Sequence, residues 1–455
     1  MRVIIPTFLL AIFLSQFIFA QKNKETITVV GDSLVGRRVD GQNIREVIGN
    51  VVMTQGDVRI TCDKAIQYLS VNEAHLIGNV EIIQDSMTIL TDEGFYLGDE
   101  KIAYSYKEIF LDDGNIKLNA LEGYYYTSEK KANFIGEVKL IDSVNTLTSD
   151  RLFYFKDENK IDAAGNVYIY DSVSAITADS LVYLKDKGST NAFGNVQLED
   201  LRNNIKMMGD FLIDRKEESY SKITGNPLFV QIDTADNGKI DTLAISSYVM
   251  EQIKDSVKKF IATGSVKIIR GDFSSINDKS IFFTDEDRIL TVKETDDSRP
   301  PILWFKNSQL AGDTVNIFLE DNRLKWIDVK VDASIISENE DFEFRFDQIS
   351  GDNIRLYFGD NNILRTEVDG SVLSIYYIAE GDEPSGLIKS SAQNAVIYFE
   401  DSAVERVKLY GSPDSEYHPE NVILEKEKDF TLPTFIIYDG RPDKESILAK
   451  RKFNN

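Results

Sequence analysis

Asp63, Asp92, Asp150 and Asp179 stand 29 residues, or twice 29, apart. A row of carboxylates at fixed spacing could bind a divalent cation such as calcium, or supply acid and base in pairs. Two points weigh against both. A catalytic group is needed once, and calcium-binding repeats carry a dense Gly-Asp nonapeptide that this chain lacks. A short carboxylate beside a turn has simpler work: it accepts backbone N–H bonds or pairs with Lys or Arg on the neighbouring rung. The row is therefore expected to be structural. The remaining reactive inventory is thin. The two histidines, His75 and His418, are far apart, which argues against zinc sites and histidine catalysis. Cys62 is the single cysteine, so no internal disulfide can form. No Walker loop, dinucleotide glycine fingerprint or G-x-S-x-G elbow occurs. GDSLVG at 31–36 surrounds Ser33 but belongs to the aspartate row and has no base nearby in sequence. Carboxylate pairs stay open, because 75 acids guarantee chance neighbours. No catalytic residue, metal or cofactor is expected.

The elements that must position the row are repeats. Gly49, Gly78, Gly136, Gly165 and Gly194 each open a G-N/E-V tripeptide, and Lys107 occupies the missing place in the frame. Two residues on come Val51, Val80, Ile109, Val138, Val167 and Val196; four on come Met53, Ile82, Leu111, Leu140, Ile169 and Leu198. Eleven on come Ile60, Ile89, Leu118, Leu147 and Ile176, and fourteen on come the aspartates, with Leu121 in one copy. Eighteen on come Gln67, Tyr96, Tyr125, Tyr154 and Tyr183. A looser form of the signature continues at Asp32, Asp210, Ser247, Asp278, Asp313, Asp352 and Gln393. The chain reads as about twelve copies of a unit of 29–41 residues. Each copy holds two or three period-2 runs between turn residues, and no window carries a sustained helical stripe. Stacked strands of this kind make a quasi-one-dimensional sheet assembly.

Composition agrees with an all-β chain. Tyr and Phe number 20 and 26, Pro only 9, and hydrophobic residues make up 42% of 455. The net charge of −24 is a poor match for nucleic acid, whose affinity rests on Lys and Arg against phosphate. Residues 3–20 are mostly apolar behind Arg2, and the run ends at Gln21. Residues 1–20 are read as a secretory signal peptide, with an uncleaved membrane anchor as the competitor. Pro300 and Pro301 cannot sit in a central strand, so a soft boundary is placed before them. The expected organisation is repeats over 21–296, more repeats over 297–411, and a tail or cap over 412–455.

The stretches GNVYIYDSVSAITADSLVYL and GEVKLIDSVNTLTSDRLFYF, with a looser match at SGDNIRLYF, resemble the OstA-like (organic solvent tolerance-like) family over roughly residues 27–400. That family includes the periplasmic bridge proteins of lipopolysaccharide transport. The resemblance implies an elongated, semi-open antiparallel β-jellyroll, or β-taco, whose apolar interior carries lipid A acyl chains toward the outer membrane. It also implies periplasmic location, with outer-membrane association left open, and end-to-end strand addition to other jellyroll proteins of the same transport system. Carried onto this chain, the lipid-facing residues are Ile60, Ile89, Leu118, Leu147 and Ile176. Val51, Val80, Val138 and Val167 come next, joined by Ile82, Leu140, Ile169, Leu310 and Ile349. The chain is longer than one bridge unit requires, and no series of strands suited to an outer-membrane barrel follows. Two other readings compete. In a sealed sandwich the same columns are plain core, and the protein is a cell-surface or structural β-solenoid of the adhesin kind. A polysaccharide-acting enzyme would need clustered acids outside the repeat frame, and none is visible.

Overall fold

The computed structural model describes residues 27–449 and 451, apart from 203, 235–239, 296, 321–322, 340–341, 360–361, 382 and 401–402. The signal-peptide stretch lies outside the described residues. The fold is almost wholly antiparallel β-strand, as the repeat pattern requires. No helix among the described residues is long and apolar enough to cross a membrane. The chain divides into two compact units: one of residues up to Gly114 with Tyr124–Glu129, and a larger one of Asn115–Gly123 with Lys130 onward.

In the smaller unit the strands Gln42–Gln55, Val58–Tyr68, Glu73–Gln84 and Met87–Leu97 pair in sequence order. Alternate long strands carry the repeat glycine, and pairing with their neighbours is interrupted there. Pairing shifts register between Ile48 and Val51 and between Ile77 and Val80. The same shift recurs in the larger unit between Ile135 and Val138, Ala164 and Val167, and Phe193 and Val196. A β-bulge of this kind bends its strand. Every long strand therefore supplies two arms, and the inner faces of the arms enclose the core. Side chains alternate accordingly: in Glu73–Gln84, Ala74, Leu76, Val80 and Ile82 are buried while Glu73, His75 and Glu81 are not. The copy with Lys107 in the glycine position has no bulge. Its chain breaks into two short strands, Ile102–Ser105 and Ile109–Asp112, and Ser105 Oγ accepts a bond from Lys107 N at 2.9 Å.

The aspartate row sits at these bends. Asn79 Nδ2 donates to Asp63 Oδ2 at 2.8 Å, Asn166 to Asp150 at 2.8 Å, and Asn195 to Asp179 Oδ2 at 3.0 Å. The glycine beside each asparagine has a left-handed backbone, with φ of 77° at Gly165 and 72° at Gly194. A methyl group has no room there: a Cβ on Gly194 would stand 2.2 Å from Asp179 Oδ2. The carboxylate occupies the volume that only glycine leaves empty. Leu121 takes the aspartate place opposite Gly136, and its side chain fills the same space.

In the larger unit a C-terminal segment lies against the outer face of the arm that carries Ser308–Ala311 and Leu228–Thr234. Gln309 Nε2 donates to Ile436 O at 2.8 Å, and its Oε1 accepts from Tyr438 N at 2.9 Å. Gln348 holds Phe430 O and Leu432 N in the same way, at 3.3 and 2.8 Å. Ile447, in the short helix Lys444–Leu448, packs on Met208, Leu228, Val230, Ala244 and Ile269. Ile423 and Leu432 pack on Ile375, Tyr377 and Leu387. Arg345, nearly buried, pairs with Glu420 and Glu427. Strands covered on both faces lose the alternation of a half-exposed sheet, and all four residues of Ile302–Phe305 and of Ser308–Ala311 are buried. Beside this segment, burial pushes the Asp347 carboxyl up to about 6, against one bond from Tyr377 N at 2.9 Å.

Gly194→Ala is expected to cost about 1–3 kcal/mol, from the left-handed backbone and the clash with Asp179. Adding Asp179→Ala should recover part of that loss, because the clash disappears while the backbone strain stays. Urea unfolding midpoints of the two single variants and the double variant measure this; strict additivity would contradict the packing argument. For Asp347 the folded state binds its proton more tightly than the unfolded chain does. Stability therefore falls as pH rises from about 3.9, the ordinary aspartate value, through about 6, and stays lower above. Asp347→Asn should stabilise the protein by about 1–3 kcal/mol at neutral pH and change nothing below pH about 3.9. Equal effects at both pH values would count against burial as the cause.

Candidate functional site

The fourteen candidate lipid-facing residues are all buried. Val51, Val80, Val138, Leu140, Leu147 and Leu310 are at 1% exposure, and the most open, Ile176 and Ile349, are at 9%. In the smaller unit the two arms also meet at their free ends. Tyr96 Oη donates to Gln55 Oε1, and Gln55 Nε2 donates to Gly98 O at 3.3 Å. One rung on, Tyr125 Oη donates to Gln84 Oε1, and Gln84 Nε2 donates to Thr127 O at 3.2 Å and Asp57 Oδ2 at 2.9 Å. The donors and acceptors come from turns at opposite lips, so each pair closes the roll across its mouth. The tyrosine column of the sequence is the seam. Ile60, Ile82 and Ile89 lie behind it as packed core.

In the larger unit a comparable contact is made by Tyr183, whose Oη accepts from Asn145 Nδ2 at 3.4 Å. Burial raises the Tyr183 phenol above its ordinary value. Strand pairing then sets Tyr183 opposite Thr190, and Thr190 opposite Asp214. An aspartate so placed cannot reach across as a tyrosine does, and its carboxylate instead accepts from Ser221 Oγ at 2.6 Å. From there the lips part around a chamber of about 2120 Å³. Small-molecule pockets are about 300–1,000 Å³. At about 30 Å³ per water-sized group, the space fits about 70 methylenes, enough for several acyl chains.

Phe229, Phe260, Phe282, Phe305, Phe358 and Ile268 are among the apolar groups on its wall. Of the fourteen candidates, Ile169 and Ile176 line it and the other twelve do not. The missed residues are aromatics of the looser copies, where the register of the columns slips. The signal that could have found them is the end of the tyrosine column at Tyr183, beyond which phenylalanines accumulate on the inner face.

The rim is charged. Eleven Lys and Arg and eight Asp and Glu stand on the lining, an excess of cations on a chain of net charge −24. Arg270 pairs with Asp241 at 2.6 Å and Lys258 with Asp285 at 2.9 Å. Lys216 Nζ reaches Asp171 Oδ2 on the other lip at 3.5 Å. Burial opposes the charge of Asp171, but bonds from Val173 N, Ser174 N and Ser174 Oγ, with Lys216 near, hold its carboxyl below the usual range. Arg202, Lys254, Lys259, Arg323 and Lys444 have no carboxylate partner among the described residues. An apolar wall under a cationic rim suits an amphiphile with an acidic head.

Removing one member of the seam takes a hydrogen bond from its buried partner. Tyr125→Phe should cost about 1–3 kcal/mol. Gln84→Ala should cost more, since Thr127 O and Asp57 lose a donor as well. Urea unfolding checks the order, which the reverse ranking would overturn.

No curated protein matches this chain. Solved structures that match include the crystal structure of LptH, the LptA-homologous periplasmic component of the conserved lipopolysaccharide transport device of Pseudomonas aeruginosa. It is 18% identical, with a TM-score of 0.16, over 31% of this chain and 83% of that one. The sequence model of the OstA-like protein family matches residues 24–161, a span that holds the first bulged rungs and the Tyr–Gln seam, so this part of the chain is similar to that family.

Proposed function

We propose that the protein is a non-enzymatic, periplasmic lipid-binding bridge that carries lipopolysaccharide toward the outer membrane, holding the lipid A acyl chains in the chamber of its larger unit. The observation that carries this reading is the chamber itself: about 2120 Å³ of space with an aromatic and aliphatic wall and a rim rich in Lys and Arg. Burial of chains there gains about 0.8 kcal/mol per methylene, and the rim suits the phosphates of the head. The OstA-like match at 24–161 supports the same reading. Ile169 and Ile176 are the lipid contacts best supported among those expected from sequence. Ile60, Ile89, Leu118, Leu147 and the remaining eight would meet lipid only where the roll opens. Partners in this reading are other jellyroll proteins of the transport system, joined through exposed edge strands such as Ser33–Val39, every residue of which is exposed. The sealed seam at Tyr96 and Tyr125 favours a scaffold role for the rungs that contain it.

Photo-crosslinking tests the reading. A photoreactive residue at Ile176 or Phe229 should capture lipopolysaccharide in cells. One at Arg151 or Lys64, on the outer side, should not. Equal capture at all four sites would sink the chamber assignment.

A further inference from the structure

We propose that the C-terminal segment, residues 430–449, is coupled to the chamber: an occupant of the chamber tightens the segment on the outer face, and a docked segment tightens the hold on the occupant. The inference rests on the lipid reading and adds its regulation. The two sites share three strands. On Leu228–Thr234, Phe229 and Gln231 line the chamber, while Leu228 and Val230 belong to the cluster around the fully buried Ile447. On Ile240–Ser246, Leu243 and Ile245 line the chamber and Ala244 belongs to that cluster. On Lys259–Arg270, Phe260 and Ile268 line the chamber, and Ile269 belongs to both. The segment also meets the border of the chamber directly. Lys444 stands on the lining, and Arg441 donates to Lys306 O at 2.6 Å and to Asp272 O, in a turn on the lining, at 3.3 Å. Just beyond, Arg451 donates to Asp210 Oδ1 at 2.7 Å, at the bend of Ile205–Arg215.

The segment is built to come away more easily than the strands beneath it. Its only regular element is the short helix Lys444–Leu448, and its bonds to the sheet run through side chains. Leu432 N donates to Gln348 Oε1 at 2.8 Å and Tyr438 N to Gln309 Oε1 at 2.9 Å, while Ile436 and Ile437 are exposed. Few buried contacts per residue put a segment at the low end of local stability. The sign of the coupling follows from the empty space. The chamber leaves the inner face of the three strands short of dispersion partners. An occupant supplies them and quiets the strands, so the segment then docks on an ordered surface and loses less entropy in the system as a whole. Linkage requires the reverse effect: a docked segment raises the affinity of the occupant by the same factor.

The test is amide hydrogen exchange on the full chain, read by mass spectrometry with and without dansyl-undecanoic acid, whose fluorescence reports its own binding. The amides of Leu432 and Tyr438 are protected by Gln348 and Gln309 only while the segment is docked. Saturating probe should slow exchange across residues 430–449 by about fivefold or more, the lower end of ordinary coupling between sites. Ile447→Asp places a carboxylate in the apolar cluster and frees the segment, so it should weaken probe binding by the same factor. Ile437→Asp, on the exposed side of the segment, should leave the affinity within about twofold. The exchange measurement uses the unaltered chain and does not depend on how the variants fold. Exchange that bound probe leaves unchanged or speeds overturns the coupling while the lipid reading stands, and so does an unchanged affinity in Ile447→Asp. No binding of the probe by the unaltered chain overturns the lipid reading and the coupling together.

Discussion

The fold hangs on a three-residue arrangement at each bend: two successive residues with left-handed backbone, Gly then Asn, and an aspartate carboxylate from the preceding rung laid over them. Two left-handed residues in a row are costly for side chains with a Cβ, so the bend exists only where something offsets the strain. The asparagine does so by donating its amide to the carboxylate, as Asn79, Asn166 and Asn195 do. The glycine does so by leaving room for that carboxylate. Neither residue works alone. An ordinary hydrogen bond contributes about 0.5–1.5 kcal/mol, which is modest, but the arrangement recurs rung after rung and each copy aims two arms inward. Exceptions show what is general. Leu121 fills the space over Gly136 with hydrocarbon, and Val331 with Asp332 makes the bend at φ of 63° and 50° without a glycine at all. The geometry is required; the chemistry that holds it is negotiable.

Once bent, each arm has an inner and an outer face, and the two meet different fates in the larger unit. On strand Leu228–Thr234, Phe229 faces the chamber while Leu228 and Val230 face Ile447 of the C-terminal segment. The wall of the chamber is thus supported from behind. A sheet with an unfilled space on one side loses dispersion contacts there, and a packed layer on the other side makes up for it. Gln309 and Gln348 fix that layer by pairing with its backbone as a neighbouring strand would, although the segment itself is not a strand. They stand immediately before Leu310 and Ile349, so one residue of each pair faces inward and its neighbour holds the covering segment.

The repeat frame, the strand alternation and the structural use of the aspartates were legible in the sequence because each rests on local rules: period-2 burial, and turn chemistry at Gly-Asn. The partner of each aspartate was not, since it is the asparagine of the next copy, sixteen residues on in Asp63 and Asn79. The apolar columns fall on buried positions but do not separate core from chamber. Ile89 and Ile176 hold the same column, but one is packed behind a closed seam and the other lines open space. Inner-face identity is a property of one strand. Openness is a property of two lips that lie tens of residues apart, and no column within a single copy records it.

The tyrosine column does record it once its partner is known. A tyrosine can span the gap between lips and still place its hydroxyl on a glutamine amide, so a rung with both is sealed. Asp214 is too short to span and too polar to face hydrocarbon from across the mouth, so its rung opens. Beyond it the inner face must satisfy two conditions at once, staying apolar while leaving space. Phenylalanines meet both, because a rigid ring on one arm covers much surface without needing an opposite partner. Where two such rings do meet, at Phe305 and Phe358, the space ends. The extent of the chamber thus follows from where side chains can reach across the roll: a hydrogen-bonded reach at Tyr183 and an aromatic one at Phe358, with the exposed Lys216–Asp171 pair crossing only at the rim between them.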